Sequence, residues 1–388
     1  MKILVVLPRF PYPLEKGDKL RAYHQIRCLA ENHDIYLAAM HDDPVSDTDL
    51  HQLTPYCRQI FLLEQGAVRR CFNVARAFFR GLPLQCGYFY NKHNHRRLQQ
   101  IIEEIKPDHI YCQLFRMAEY VKESPIPKTL DYQDVFSKGL LRRYEKASLV
   151  AKPFFKMEYR RVSKYEAGIF DCFNYKTIIT AVDRNLIPHE NKDEITIVPN
   201  GVDFEQFQYR GEEKTYDLIF SGNMNYAPNV DAAEYLVREI LPLLKAEFPK
   251  LRVVLCGATP ADRVKALASD DVMVTGWVDS MTEWYAKSKV FVAPMRLGTG
   301  LQNKLLEAMA MQLPCVTSPL AGKPLRDAGH KGAIITCATT IGYVEAVRRL
   351  LMDDAYYRLL AENGSTFVHE NYDWEASVAQ LEQIIVAE

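Results

Sequence analysis

Thirteen short apolar runs, most of them rich in Val and Ile, are spaced along this chain and mostly separated by helix-patterned stretches. The first half carries KILVVL, DIYLAAM, QIFLL, DHIYC, KTLDY, KTIITA and ITIV, and the second half YDLIFS, LRVVLC, VMVT, KVFVA, PCVT and AIIT. Runs of this length read as strands. Strands alternating with helices imply parallel βαβ units, so the fold class is α/β, with doubly wound sheets. A chain of 388 residues exceeds the size at which one core keeps growing, which predicts two such domains with a cleft between them. Pro199, Asn200 and Gly201 concentrate turn chemistry after ITIV and place the linker near 199–212. The expected division is 1–198, 199–370 and a terminal amphipathic helix over 371–388, for which packing back on the first domain is one outcome.

Hydrophobic residues at 48% and charged ones at 25% fit an ordinary globular protein. The nine cysteines are scattered, with no C-x-x-C, which argues against a disulfide framework or a cysteine zinc site and for a reducing compartment. No run approaches the ~20 apolar residues of a membrane span, and the apolar start stops at a proline. The expectation is a cytoplasmic protein, at most attached to the inner face of a membrane. Residues 1–200 carry 30 Lys and Arg against 24 Asp and Glu, a balance of +6, and the remainder carries 18 against 25, a balance of −7. The acidic second half and the lack of a known module count against nucleic acid. Between Gly66 and Arg97 seven basic residues (Arg69, Arg70, Arg76, Arg80, Lys92, Arg96, Arg97) alternate with Phe72, Phe78, Phe79, Tyr88, Phe89 and Tyr90, with no acid. That pattern suits a solvated face over core aromatics, and as a second reading peripheral contact with an anionic lipid surface through 66–97.

In open α/β sheets ligands bind beyond the carboxyl ends of strands. The loop that stands out there is VFVAPMRLGTGLQNKLLEAMAMQLPCVTS, a strand followed by Arg296, Gly298, Gly300 and a helix expected over 301–312. Glycines let backbone N–H groups turn inward, and the helix start adds free donors and a positive dipole end, together an anion site. Leu301, Leu305, Ala308 and Met309 have the spacing of a buried stripe, whereas Lys304 and Glu307 share another face. A lysine in the first turn opposes the helix dipole, and a bound pyrophosphate relieves that. Glu307 one turn on is placed to accept from ribose hydroxyls. The same residues also suit a plain turn and a surface pair worth ~0.2–0.5 kcal/mol. A third glycine for G-x-G-x-x-G is missing and no P-loop motif occurs.

This loop, with IVPNGVDFEQF upstream, resembles retaining glycosyltransferase family four. The resemblance spans nearly the whole chain. PRFPYPLEKGDKLRAYH, TLDYQDVFSKGL and FSGNMNYAPNVDAAEYL are most similar to a branch of exopolysaccharide-associated sugar transferases. It implies the GT-B fold of two facing Rossmann-like domains, no cofactor or catalytic metal, and a nucleotide diphosphosugar donor, UDP- or GDP-linked. The acceptor implied is the hydroxyl of a glycan or lipid-linked glycoconjugate.

By the same resemblance Glu307 holds the ribose, Arg296 and Lys304 take the diphosphate, and Thr299 stands where the family has a first glutamate. The sugar is then left to the backbone of Gly298, Gly300 and Leu301 and to Gln302 or Asn303. Asn223 and Asn225 replace the usual Arg and Lys, Gly276 and Val278 meet the base, and Gly17 lets the diphosphate approach. Gln133 replaces a histidine, leaving Asp134 as the sugar- or acceptor-contacting group beside Asp18, Lys19 and His24. Arg296, Lys304 and Asp134 are the expected catalytic residues. A non-catalytic sugar-nucleotide binder and a sugar-nucleotide epimerase on the same fold are the rival readings.

Overall fold

The computed structural model describes residues 1–386 except 299, 328, 330 and 331, and omits the side chains of 67–69, 146, 326 and 327. Thr299 therefore lies outside the described residues. The chain divides into two compact units, Met1–Pro199 with Trp374–Glu388, and Asn200–Asp373.

Among the described residues the first unit holds seven parallel strands: β1 (Lys2–Leu7), β2 (Asp34–His41), β3 (Gln59–Glu64), β4 (His109–Gln113), β5 (Lys128–Asp131), β6 (Tyr175–Ile178) and β7 (Thr196–Ile197). They pair in the order β3-β2-β1-β4-β5-β6-β7. Successive strand residues point to opposite faces, so Leu4 and Val6 enter one core with Ile110, Cys112 and Leu130, while Ile3, Val5 and Leu7 enter another. Both faces are covered, which is why KILVVL is continuously apolar instead of alternating. The helices Gly17–Leu29 and Trp374–Val386 cover the second face with Ile26, Leu29, Trp374, Val378 and Leu381. His24 stacks on Trp374 with centroids 4.7 Å apart and is buried there.

The second unit has six parallel strands among the described residues: β8 (Tyr216–Ser221), β9 (Val253–Cys256), β10 (Val272–Val274), β11 (Ser288–Ala293), β12 (Cys315–Thr317) and β13 (Ile335–Thr336). Their order is β10-β9-β8-β11-β12-β13. In each sheet the order reverses at one place, between β1 and β4 and between β8 and β11, and ligands of doubly wound sheets bind at such points. All thirteen sequence runs become strands in parallel Rossmann-like sheets.

Helix boundaries differ from expectation. The helix expected over 301–312 spans Asn303–Ala310, because Gly298 (φ +112) and Gly300 (φ +73) hold the preceding loop in left-handed backbone. In the second unit the helical segment that starts at Ala227 is divided into Ala227–Tyr235, a π turn over Leu236–Ile240 and Leu241–Lys245, since Pro242 cannot donate to a continuous helical ladder. Among the described residues no helix is long and apolar enough to cross a membrane.

Candidate functional site

The loops that follow β8 and β11 flank the reversal point of the second sheet, and most of the expected donor residues lie on them. β8 ends in Ser221 and runs into Gly222 at φ +145, while β9 runs into Gly257 at φ +141. A Cβ on Gly257 would stand 2.0 Å from Gly222 O, and one on Gly222 would stand 2.9 Å from Lys304 Nζ. Only glycine fits either place, so the two backbones close up and the Lys304 ammonium rests against the Gly222 turn.

Lys304 is the second residue of the helix Asn303–Ala310, whose start no side chain caps. Its Nζ donates to Asn229 Oδ1 (2.6 Å) and lies 4.7 Å from the Phe220 ring centroid. Asn229 Nδ2 in turn donates to Asn223 O (2.9 Å), and Asn223 Oδ1 accepts from Asn225 N and Thr259 Oγ1. Asn223 and Asn225 thus shape the loop behind the lysine and add no charge. Among the described residues Lys304 makes no ion pair. Burial lowers its pKa to about 7, against the pull of Glu307. A lysine hydrogen-bonded only to a neutral amide, at a helix start that no side chain caps, has the chemistry to attract an anion.

Glu307 sits one turn further along. Tyr285 Oη donates to its Oε2 (3.0 Å) and is 2.8 Å from Ser221 Oγ. Burial raises the carboxyl above the ordinary glutamate range, while the Tyr285 bond and Lys304 pull it down. Tyr285 leaves the second carboxylate oxygen and the remaining lone pairs to accept from vicinal hydroxyls.

The other expected residues fall less evenly. Arg296 is 45% exposed at its side chain and forks onto Asp231 (3.0 and 2.9 Å), with Glu239 at 3.5 Å and the Tyr235 ring centroid at 4.3 Å. Its charge is already compensated, and the Asp231 bond, first among the causes, holds its pKa up. Asn303 Oδ1 accepts from Asn200 Nδ2 (3.0 Å), and Gln302 Nε2 reaches Gly300 O at 3.4 Å. Gly298 would bring a Cβ within 3.8 Å of Pro228, and Leu301 packs on the core. Gly276 (φ +72) and Val278 follow β10, and between them Trp277 leaves 60% of its surface exposed.

In the first unit Gly17 opens the helix Gly17–Leu29 with open space around its Cα. Asp134 follows β5 after Gln133, itself at φ +60. Burial first, then Asp183 and Asp131, raise the Asp134 carboxyl to about 7 against Arg21 and Arg142. Across 66–97 the aromatics divide: Phe72, Phe78, Phe79 and Tyr88 are exposed, whereas Phe89 is buried and Tyr90 half-buried. Arg70 is engaged by Asp42 and by Tyr88, whose ring centroid is 4.4 Å away.

Sequence reasoning missed Asn229, Tyr285, Ser221 and Trp277. Gly222 and Gly257, each directly after a strand, were the available signal for the first cluster. Tyr285 sits in an unremarkable helix, Met281–Ala286, and only the fold brings it to Glu307. A concavity of about 410 Å³ in the second unit, lined by Tyr209, Lys214, Lys289 and Tyr357, lies near the amino-terminal starts of β8 and β11. That is the end of a parallel sheet where ligands are not expected. Among the described residues no group of three or more His, Cys, Asp or Glu is placed to hold a metal ion.

The family described as Glycosyl transferases group 1 matches residues 215–353. The phosphatidyl-myo-inositol mannosyltransferase of Mycolicibacterium smegmatis is 28% identical over 200 residues, covering 48% of this chain and 50% of that protein. The chain spans about half the length of the curated relatives it matches. Among solved structures, sucrose-phosphate synthase of Thermosynechococcus elongatus superposes with a TM-score of 0.74 at 17% identity, covering 99% of this chain and 98% of that one. The Anabaena protein HepE in complex with UDP and glucose does so at 0.70 and 12%, covering both chains fully at 100%. The match to Glycosyl transferases group 1 is confined to residues 215–353, and the two parallel Rossmann-like sheets have the fold of the GT-B structures they superpose on.

Proposed function

We propose that this protein is a glycosyltransferase that takes a sugar from a UDP- or GDP-sugar and passes it to a hydroxyl of a glycan or lipid-linked acceptor, with retention of anomeric configuration. The observation that carries the reading is the Lys304 side chain, partly buried against the Gly222 turn with a neutral amide as its hydrogen-bond partner, one helical turn from a carboxylate that Tyr285 orients. In this reading Lys304 and the free N–H groups of its helix take the diphosphate, Glu307 takes the ribose, and Gly276, Trp277 and Val278 offer a surface for the base. The backbone of Gly298, Gly300 and Leu301, with Gln302 or Asn303, meets the sugar. Arg296 reaches the diphosphate only by giving up Asp231.

The bond from the anomeric carbon to the diphosphate oxygen breaks, the acceptor oxygen takes its place, and the acceptor proton leaves with the diphosphate or to a base. Stabilising the charge that develops on the leaving group is the largest contribution asked of the protein. Asp134, with a carboxyl near neutrality, serves the acceptor side, where it both donates and accepts. Nothing in this scheme requires a metal ion. The exposed Phe72 and Phe79, with Arg76 and Arg80, form a face suited to the inner surface of an anionic membrane. Family resemblance supports work in polysaccharide or glycoconjugate assembly in the cytoplasm.

The test is a thermal-shift panel of UDP-, GDP- and ADP-sugars on the wild type and Lys304→Ala, followed by assays of donor hydrolysis and transfer. A ligand at a hundred times its Kd stabilises by ~2.7 kcal/mol, an easily read shift. Stabilisation by one nucleotide family that disappears in Lys304→Ala is expected. Equal stabilisation of the variant removes the donor site from these loops, and binding without any turnover leaves a sugar-nucleotide binder.

A further inference from the structure

The reversal point of the first sheet carries a second cationic cluster that donor binding does not use. β1 leads to Arg9, the helix Gly17–Leu29 opens with Asp18, and β4 leads through Leu114 into the 3-10 turn Phe115–Tyr120, which bears Arg116. These residues flank the crevice at which doubly wound sheets bind ligands. Leu114 stands at φ +67, a conformation unfavourable for a branched residue and kept where the surroundings impose it.

Arg116 is only 8% exposed, and its guanidinium lies 4.7 Å from the Phe89 centroid and 5.4 Å from that of Phe136. Its Nε has no hydrogen-bond partner, Nη1 meets Gln85 Oε1 only at 3.5 Å, and Nη2 stands 3.8 Å from Asp18 Oδ2. Arg9 takes that same carboxylate at closer range, and lies 5.9 Å from the Phe89 centroid. Two guanidiniums therefore share one carboxylate in a largely desolvated place. A buried arginine with a structural task looks different: Arg21 has Asp131 at 2.8 and 3.0 Å and no exposure at all. Burial, reinforced by Arg9 and opposed by Asp18, lowers the Arg116 pKa to about 10, as expected of a site short of negative charge.

We propose that Arg9 and Arg116 form a binding site for the phosphate group of a phosphorylated acceptor. The planar forks supply several N–H donors aimed from two directions, which matches the oxygens of a phosphate, and Asp18 yields Arg9 as the anion enters. The ligand's role as acceptor rests on the transferase reading, whereas its phosphate chemistry is tested apart from it.

Methyl phosphate serves as the soluble probe, and phosphatidylcholine vesicles with or without phosphatidic acid as the lipid probe, on the wild type, Arg9→Gln, Arg116→Gln and Lys304→Ala. Methyl phosphate is expected to raise the melting temperature of the wild type and of Lys304→Ala, also with UDP present. Its affinity is expected to fall about tenfold or more in Arg9→Gln and Arg116→Gln. A wild-type far- and near-UV circular dichroism spectrum with an unchanged cooperative melt shows that both variants fold, and Arg9, 35% exposed at its side chain, gives the milder substitution if Arg116→Gln does not. Undiminished methyl phosphate binding in the two arginine variants, or its loss in Lys304→Ala alone, overturns the site. Methyl phosphate binding that depends on Arg9 and Arg116 in a protein that binds no nucleotide upholds the site and removes the transferase reading. Sedimentation with phosphatidic acid vesicles that is reduced in Arg116→Gln assigns a lipid-borne phosphate, and a response to methyl phosphate alone assigns a soluble one.

Discussion

Two pairs drawn out of water, Arg21 with Asp131 in the first unit and Lys304 with Glu307 in the second, treat charge in opposite ways. In the first, Arg21 and Asp131 are both fully buried and joined by two hydrogen bonds, with Thr177 Oγ1 donating to the same carboxylate at 3.0 Å. Burial, the largest single influence, would lower the Arg21 pKa, but Asp131 and Tyr111 together outweigh it and the guanidinium is held above its ordinary value. In the second, Lys304 and Glu307 are also drawn out of water, yet each is tied to a neutral partner, Asn229 or Tyr285. A charge that satisfies its neighbour inside the fold holds the fold together. A charge hydrogen-bonded only to a neutral group, with its opposite charge a helical turn away, keeps its attraction for something that arrives from outside.

The contrast breaks most visibly at Asp131. Asp131→Ala leaves the Arg21 guanidinium buried and uncompensated and is expected to destabilise the first unit by about 3–5 kcal/mol in urea unfolding. A loss under about 1 kcal/mol would show that the pair is not structural. Lys304→Ala should behave in the reverse manner, with donor turnover reduced about 10²–10³-fold and a melting temperature unchanged or slightly higher, because a desolvated ammonium has gone.

The same lysine sets a pH dependence. In the free protein Lys304 loses its proton near 7, whereas a bound diphosphate favours the charged form and raises that value. Binding therefore takes up a proton above pH 7, so UDP affinity should fall by up to about tenfold per pH unit as pH rises from there. Calorimetry in buffers of different ionisation enthalpy checks the uptake, and flat affinity across that range would mean that Lys304 does not meet the phosphates. Tyr285→Phe removes one hydrogen bond to Glu307 and should weaken nucleotide binding by about 1 kcal/mol, mostly as a change in KM for the donor. Arg296→Gln should have the smallest effect, under about 1 kcal/mol in kcat/KM, since its half-exposed fork already belongs to Asp231. A larger loss there would restore Arg296 to the diphosphate.

Much of the fold was legible because strand burial is written locally. KILVVL and KVFVA are buried on both faces, so the apolar run and the strand coincide, and the βαβ alternation then leaves few topologies. Helix ends were less legible, because Leu301 fits a helical stripe while the left-handed glycines before it delay the helix to Asn303. The glycine loop and the face shared by Lys304 and Glu307 could be located from spacing alone. The partners of those residues could not, since Asn229 is 75 positions from Lys304 and Tyr285 is 22 from Glu307.

The sequence by itself determined two doubly wound halves and a strand, glycine and helix passage able to hold an anion, since hydrophobic period and backbone freedom are local properties. The tertiary structure alone decided which charges are compensated. It gave Arg296 to Asp231 and Arg21 to Asp131, and it left Lys304 and Arg116 short of a counter-charge. The physical reason is that pairing and desolvation depend on what lies within a few ångströms in space, and the chain's order does not record that distance.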